Sequence, residues 1–434
     1  MKKNKILTTG AVTLLLTAVL LSGCGGSAEA ASVNAAETTG AVTASAAATT
    51  TAAPVETTAA VTLTETAAAT DSDLFTKRDL AQTADLSEAT YFTVSDGETV
   101  TITEAGVYVL SGSAKEACIL VEAGDEDKVQ LVLDDLSIVN SAGPCILIES
   151  ADKVFLTSAE GSENTLTVSG KFAGDEDAVI FSRDDLVLNG LGSVTVTSSD
   201  DGIRSNDDLK LTGGTWYVTA SGSALKAHDG IYACDGVYQL TASNDGLHAE
   251  DNDDDTAGCI VIAGGSFTID AGDDGVHATT TATVDAGTLT IRAAEGIEAT
   301  QVIVNGGTVD ITATDDGINA GRKSKSLSAK VEITGGDLTI SMGAGDTDGI
   351  DSNGDLIISG GTIRITGQSP FDYDGTCTHT GGTLIVNGVE TDTVTNQLMG
   401  GGMMGGMQGG QMGGGMPGGM QGQPSGSFGG NRRA

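Results

Sequence analysis

Asp274-Gly275-Val276-His277-Ala278, Glu295-Gly296-Ile297-Glu298-Ala299 and Asp316-Gly317-Ile318-Asn319-Ala320 are three versions of one pentapeptide, with glycines 21 residues apart. Working outward, the same pattern returns at Asp201-Gly202-Ile203, Asp245-Gly246-Leu247 and Asp348-Gly349-Ile350. Ser223-Ala224-Leu225 is a variant, and Asp177-Ala178-Val179 precedes the series. Gly-Gly pairs interleave with these motifs, as at Gly306-Gly307, and each is followed by an alternating run such as Thr308-Val309-Asp310-Ile311-Thr312. A period near 21 holds three short strands and three turns, one coil of a solenoid. Propellers need roughly 40 or more residues per repeat, and no leucine-rich pattern is present.

The reading is therefore all-β: a single-domain right-handed parallel β-helix of about ten coils. Asp-Gly is expected to supply a positive-φ corner. Ile203, Leu225, Leu247, Val276, Ile297, Ile318 and Ile350 then point inward, and Ser205, Ala227, Ala249, Ala278, Ala299, Ala320 and Ser352 point inward two residues later. Coils about 4.8 Å apart turn each series into a ladder. The early outward positions are read as Leu120, Leu147 and Ile180, apolar and so in need of a cover, expected from residues 72–92.

Four segments follow. Residues 1–24 carry Lys2, Lys3 and Lys5, an apolar run, and Leu21-Ser22-Gly23-Cys24, which resembles a bacterial lipobox with Cys24 lipidated. Residues 25–90 are an Ala/Thr-rich stalk leading into an N-terminal cap, 91–395 form the solenoid, and 396–434 are a Gly/Met-rich tail. The expected location is the outer face of the cell membrane, with membrane contact through the lipid only.

Loss of the three leader lysines leaves 18 basic against 59 acidic side chains. Such a surface repels nucleic acid. Aromatics make up only 3% of residues, so small and β-branched side chains must build the core. Beyond Cys24, five cysteines without a CxxC give neither a disulfide framework nor a zinc site. Cys118 and Cys145 share a register and read equally as a disulfide or as stacked thiols.

The residues after the inward aliphatics are Arg204, Lys226, His248, His277, Glu298, Asn319 and Asp351, so one edge carries a row of polar groups. Beside it stand the corner carboxylates Asp201, Asp245, Asp274, Glu295, Asp316 and Asp348, doubled by Asp200, Asp273 and Asp315. Stacked carboxylates need cations, protons or hydrogen bonds. Ca2+, which takes six to eight oxygens, is the expected cofactor. Asx capping of turns is the competing reading. Candidate clusters are Asp200-Asp201 with Asp207-Asp208, the loop Asp251-Asn252-Asp253-Asp254-Asp255, and Asp273-Asp274. The loop lacks the turn glycine and the closing Glu of an EF-hand. Lys226, flanked by Arg204, reads either as a general base or as a surface ion pair. His248 and His277 read as a shared metal pair or as turn polar residues. Trp216, Tyr217, Tyr232 and Tyr238 read as a sugar platform or as core filling. The tail methionines have copper(I)-type softness without fixed spacing.

Asp315-Asp316-Gly317-Ile318, the Gly-Gly-Thr-aliphatic runs and Ser223-Ala224-Leu225-Lys226-Ala227-His228-Asp229-Gly230-Ile231 resemble the carbohydrate-binding-domain family of clostridial surface proteins. The β-helix of that family resembles that of pectate lyases. Over residues 90–390 the resemblance implies binding of plant cell-wall polysaccharide, cellulose or acidic pectin; the chain itself is expected to be a monomer. It also implies calcium on Asp200, Asp201, Asp245, Asp273, Asp274, Asp315 and Asp316. Related lyases use calcium and a lysine base, a role that Lys226 would fill. The expected function is calcium-dependent binding without catalysis. The alternatives are a calcium-dependent lyase, and an adhesin or wall spacer with no sugar ligand.

Overall fold

The computed structural model describes residues 74–397, except 252, 253, 345 and 346. Cys24, Asp253 and the methionine tail lie outside the described residues. Among those described there are 32 strands and no helix. None, accordingly, is a helix long and apolar enough to cross a membrane.

The strands form three faces, and on each face a strand pairs in parallel with its equivalent one coil later. The second face includes Lys153–Ser158, Asp185–Gly190 and Cys259–Ile262, and the third Ser193–Ser198, Ser266–Ala271, Thr288–Ala293, Thr308–Ala313, Asp337–Met342 and Thr362–Thr366. The first face runs through Thr99–Ile102, Cys118–Glu122, Ile146–Ser150, Ala178–Ser182 and Asp201–Ser205, then on to Asp348–Ser352 and Ser369–Tyr373. Its register stacks Ile203, Leu225, Leu247, Val276, Ile297, Ile318 and Ile350 as expected. All seven are buried, and so are the small residues two positions on, from Ser205 to Ser352. Alternation along a pleated strand places one residue in two inside, so a narrow core is filled by Ile, Val, Leu and Ala. The stack ends in an antiparallel pair, Thr383–Val386 with Val389–Thr391. Asn387 and Gly388 join it at φ 50° and 76°, the double positive-φ turn that a tight hairpin requires.

Three expectations are corrected. The Asp-Gly corners do not use positive φ, because Gly202, Gly246, Gly275, Gly296, Gly317 and Gly349 all lie outside that region. They are glycine because a Cβ would collide with an aliphatic side chain of the third face and with the next coil's carbonyl. Positive φ belongs instead to the second glycine of the Gly-Gly turns, such as Gly307 at 80°. Secondly, Ile180 pairs with Ile203 and points inward, so the outward residue of that coil is Phe181. The guanidiniums of Arg204 and Arg183 lie 5.4 and 5.6 Å from its ring centre and cover it.

Thirdly, the N-terminal segment does not cover Leu120 and Leu147. It lies on the second face, where Arg78 stacks over Phe155 at 4.3 Å and Gln82 Nε2 donates to the Thr212 carbonyl at 2.7 Å. Asp79, fully buried, sits 3.8 Å from both Lys153 Nζ and Lys210 Nζ. That face carries outward polar and aromatic groups in the middle coils, so charge pairing decides where the segment docks. The five cysteines among the described residues are free thiols, including Cys118 and Cys145. Burial pushes the Cys118 thiol up to about 11 and that of Cys145 to about 12, which suits packing rather than reactivity.

Candidate functional site

The outward row of the first face is Arg204, Lys226, His248, His277, Glu298, Asn319 and Asp351, each in register with the next. Three of the corner carboxylates beside it are committed to the backbone. Asp201 Oδ1 accepts from the Ser223 N–H at 2.8 Å, Asp245 Oδ1 from the Asp274 N–H at 3.0 Å, and Asp316 Oδ1 from the Asp348 N–H at 3.0 Å. Each caps the corner of the coil above it. The second oxygen of Asp201 takes Lys226 Nζ at 3.1 Å, and that of Asp245 takes His248 Nδ1 at 2.7 Å. Lys226 is thus an ion pair. Arg204 is held by both oxygens of Asp177, at 2.8 and 2.7 Å, and touches His228 Nε2 at 3.0 Å.

These contacts bear on the expected calcium clusters, because an ion at Asp201 or Asp245 would have to displace hydrogen bonds already made. Asp207 and Asp208 stand beyond the end of the Asp201–Ser205 strand, where Asp208 opens the next, among Asp184, Asp185 and Asp229. Burial and those neighbouring charges push both carboxyls up to about 6. Asp251 Oδ1 accepts from the Asp254 N–H at 3.3 Å, which makes a turn cap. Asp255 clasps a second loop: its carbonyl accepts from Ser324 Oγ at 2.7 Å and its carboxylate from the Lys325 N–H at 3.0 Å. Asp200, Asp273 and Asp315 are exposed.

The aromatic group does not form a platform. Trp216 and Tyr238 are 0% exposed, with Tyr238 stacked on Phe267 at 4.8 Å. Parity decides this, since in one strand Trp216 and Tyr217 cannot both face outward. Tyr217 is 40% exposed on the third face. Tyr232 is half-buried on the second face, under Lys210 and 3.2 Å from Cys259 Sγ.

What the fold does bring together is a cleft of about 300 Å³ lined by Asp245, His248, Glu250, Asp273, Asp274, His277, Glu295, Glu298 and Lys323. Six carboxyls face two imidazoles and one ammonium. His277 Nδ1 lies 2.6 Å from Asp274 Oδ2 and 3.0 Å from Glu298 Oε2, and Lys323 Nζ lies 2.6 Å from Glu298 Oε1. The rings of His248 and His277 stack at 4.8 Å, 11° from parallel. Burial disfavours the His277 charge, but the two carboxylates outweigh it and raise the imidazole to about 10. Burial, with the Glu298 charge, raises Glu295 to about 8. For Asp245 the His248 hydrogen bond overcomes burial and holds the carboxyl below its usual range.

Glu250 and Lys323 were not among the expected site residues, and Glu295 was expected only as a corner carboxylate. Glu298 was visible in the outward row. Lys323 stands on an inserted loop, and the hydrogen bonds from the Lys323 and Ser324 N–H groups to Thr300 Oγ1, at 3.0 and 2.7 Å, are what fold it over the cleft.

Farther along the row, Asp351 is half-buried and faces Asp316, Asp348, Asp372 and Asp374. Burial first, then those charges, lift it to about 7. Burial also takes Asp316 to about 6, despite the Asp348 N–H. Both values exceed those of the unfolded chain, so the folded state holds more protons in between, and stability falls as pH rises through that window. Thermal unfolding by calorimetry should therefore show a midpoint a few degrees higher near pH 5 than near pH 8. Asp351→Asn should raise the midpoint most near pH 8, less near pH 5, and leave it unchanged only near pH 3, below the ordinary carboxyl value.

A curated carbohydrate-binding domain-containing protein of Acetivibrio thermocellus is 41% identical over 130 residues, 28% of this chain and 45% of the relative. The chain thus spans about half the length of that relative. A solved structure of the polysaccharide lyase-like protein from C. thermocellum, a gadolinium derivative, is 29% identical with a TM-score of 0.42, over 51% of this chain and 93% of that one. A model of the family described as carbohydrate-binding domain-containing protein matches residues 96–347, which hold the outward row from Arg204 to Asn319 and the whole cleft, and the chain belongs to this family.

Proposed function

We propose that this chain binds plant cell-wall polysaccharide, cellulose or pectin, without cleaving it, along the outward row of a right-handed parallel β-helix. The hand follows from the strong preference of parallel crossover connections. One observation carries the reading: seven polar side chains follow one another at coil spacing, about 4.8 Å, over seven consecutive strands. That spacing is comparable to the length of one pyranose unit. An extended sugar chain laid along the axis meets a donor or acceptor at each step. Family membership supports a polysaccharide ligand. The state of the two cations supports binding over lysis, since Lys226 and Arg204 are both held in ion pairs. Outside the described residues, Cys24 is proposed as the lipid anchor that presents the module at the cell surface.

The test is retention on insoluble cellulose and on immobilised polygalacturonate, run beside ultraviolet detection of unsaturated uronates. Retention with flat absorbance is expected. Asn319→Ala should weaken retention about two- to tenfold, the value of one hydrogen bond of about 0.5–1.5 kcal/mol. An absorbance rise that Lys226→Ala abolishes would establish the lyase instead. Failure on both matrices would leave a spacer or adhesin. Cells carrying Cys24→Ser should shed the protein into the medium.

A further inference from the structure

Asp274, His277 and Glu298 form a group of metal-competent side chains whose ligand atoms all lie within 4.8 Å of one another. Asp274 and His277 come from one strand and Glu298 from the strand paired above it, with His277 and Glu298 in direct register. The group is therefore held by two rigid, hydrogen-bonded backbones. His277 Nδ1 already lies between two carboxylate oxygens, 2.6 Å from Asp274 and 3.0 Å from Glu298. A cation belongs at that point, and in this arrangement the shared imidazole proton serves as one.

The donor set selects the ion. Calcium takes six to eight oxygens and no nitrogen. Here there are three donors, one of them an imidazole nitrogen, and the Asp245 oxygens nearby are engaged by the Asp274 N–H and by His248. One imidazole with two carboxylates suits a smaller, borderline divalent ion of the zinc type, which binds three protein groups and leaves a fourth position open. Lys323 Nζ at 2.6 Å from Glu298 Oε1 would stay in place, orienting the carboxylate while Oε2 ligates. His248, stacked against His277, fixes the plane of the ligating ring.

We propose that Asp274, His277 and Glu298 form a zinc-type metal site with an open position facing the cleft, in which Asp274 serves this ion instead of the calcium expected of the corner aspartates. The site does not depend on the nature of the sugar.

The test is calorimetric titration of the full chain with Zn2+ and, separately, with Ca2+, backed by the visible spectrum of the Co2+ form. One tight Zn2+ event per chain is expected, absent in His277→Ala and in Glu298→Gln. Lys323→Ala should weaken it about 10- to 100-fold, as outer-shell changes do. The Co2+ bands should be those of nitrogen and oxygen donors. Matching circular dichroism and metal-free unfolding midpoints identify the variants that remain folded, and Lys323→Ala, which removes no ligand, provides a reading if the other two do not fold. Zn2+ binding unchanged in folded His277→Ala, thiolate-to-cobalt bands showing that the cysteines are the ligands, or displacement of Zn2+ by equimolar Ca2+ would each overturn the proposal.

Discussion

Trp216→Ala is expected to cost about 3–5 kcal/mol of folding stability and to leave polysaccharide retention unchanged, while Tyr217→Ala should stay within about 0.5 kcal/mol of the parent. The two residues are neighbours in one strand with opposite fates. Trp216 is 0% exposed, stacked between Val194 and Tyr238 in the core ladder, with its indole N–H donating to the Gly213 carbonyl at 3.0 Å. Removing the ring leaves a cavity in a narrow coil that cannot collapse, because the coils above and below fix its width, and it leaves the Gly213 carbonyl with only the longer bond from the Tyr238 hydroxyl at 3.4 Å. Denaturant midpoints of the two variants measure the difference directly. Equal effects, or loss of retention with Trp216→Ala in folded protein, would return the ring to the surface.

Gly317→Ala tests the corners. A methyl at this position would run into the Gly349 carbonyl of the next coil and the Ile340 side chain of the third face. Overpacking of this kind costs about 1–3 kcal/mol where neighbours can shift, and here one neighbour is backbone. The effect should fall at the upper end of that range or beyond it. Gly275→Ala should behave alike, since its Cβ would meet Gly296 and Ile291 in the same way. Gly97 is a useful contrast: nothing lies near its Cβ, and its φ of 72° makes any penalty a matter of backbone conformation alone. A Gly317→Ala variant as stable as the parent would mean that the coils sit farther apart than the register implies.

The core ladders were legible because their spacing is set by coil length and their identity by alternation. Ile203 to Ile350 needed no further information. The corner glycines were recognised for the wrong reason. A sequence shows that only glycine is used, but whether φ or a carbonyl one coil away demands it is a three-dimensional fact. Ile180 was misassigned because the Asp177-Ala178-Val179 motif sits one residue out of step: Asp201 pairs with Ala178, not with Asp177. Trp216 was decidable from parity with Val194 in the paired strand. The outward row was read correctly, but its pairing was not. Asp201, Asp245 and Asp316 answer to the next coil's N–H, a contact between residues 22 to 32 positions apart. The convergence of Glu298 and Lys323 on His277 depends on an inserted loop, whose path periodicity does not describe.

Everything at the edge of this molecule follows from equivalent residues lying directly above one another. Pulsed dipolar spectroscopy with paired spin labels on the third face measures that most directly. Thr197 and Thr366 are linked by seven successive register pairs, through Thr219, Thr241, Asp270, Arg292, Thr312 and Ser341. At about 4.8 Å per step the labels should stand about 34 Å apart, and labels at Thr219 and Thr312, four steps apart, about 19 Å. Distances in that seven-to-four proportion are the expected result. Two similar distances, or a longer one for the closer pair, would contradict the stack and with it the row, the cleft and the metal site.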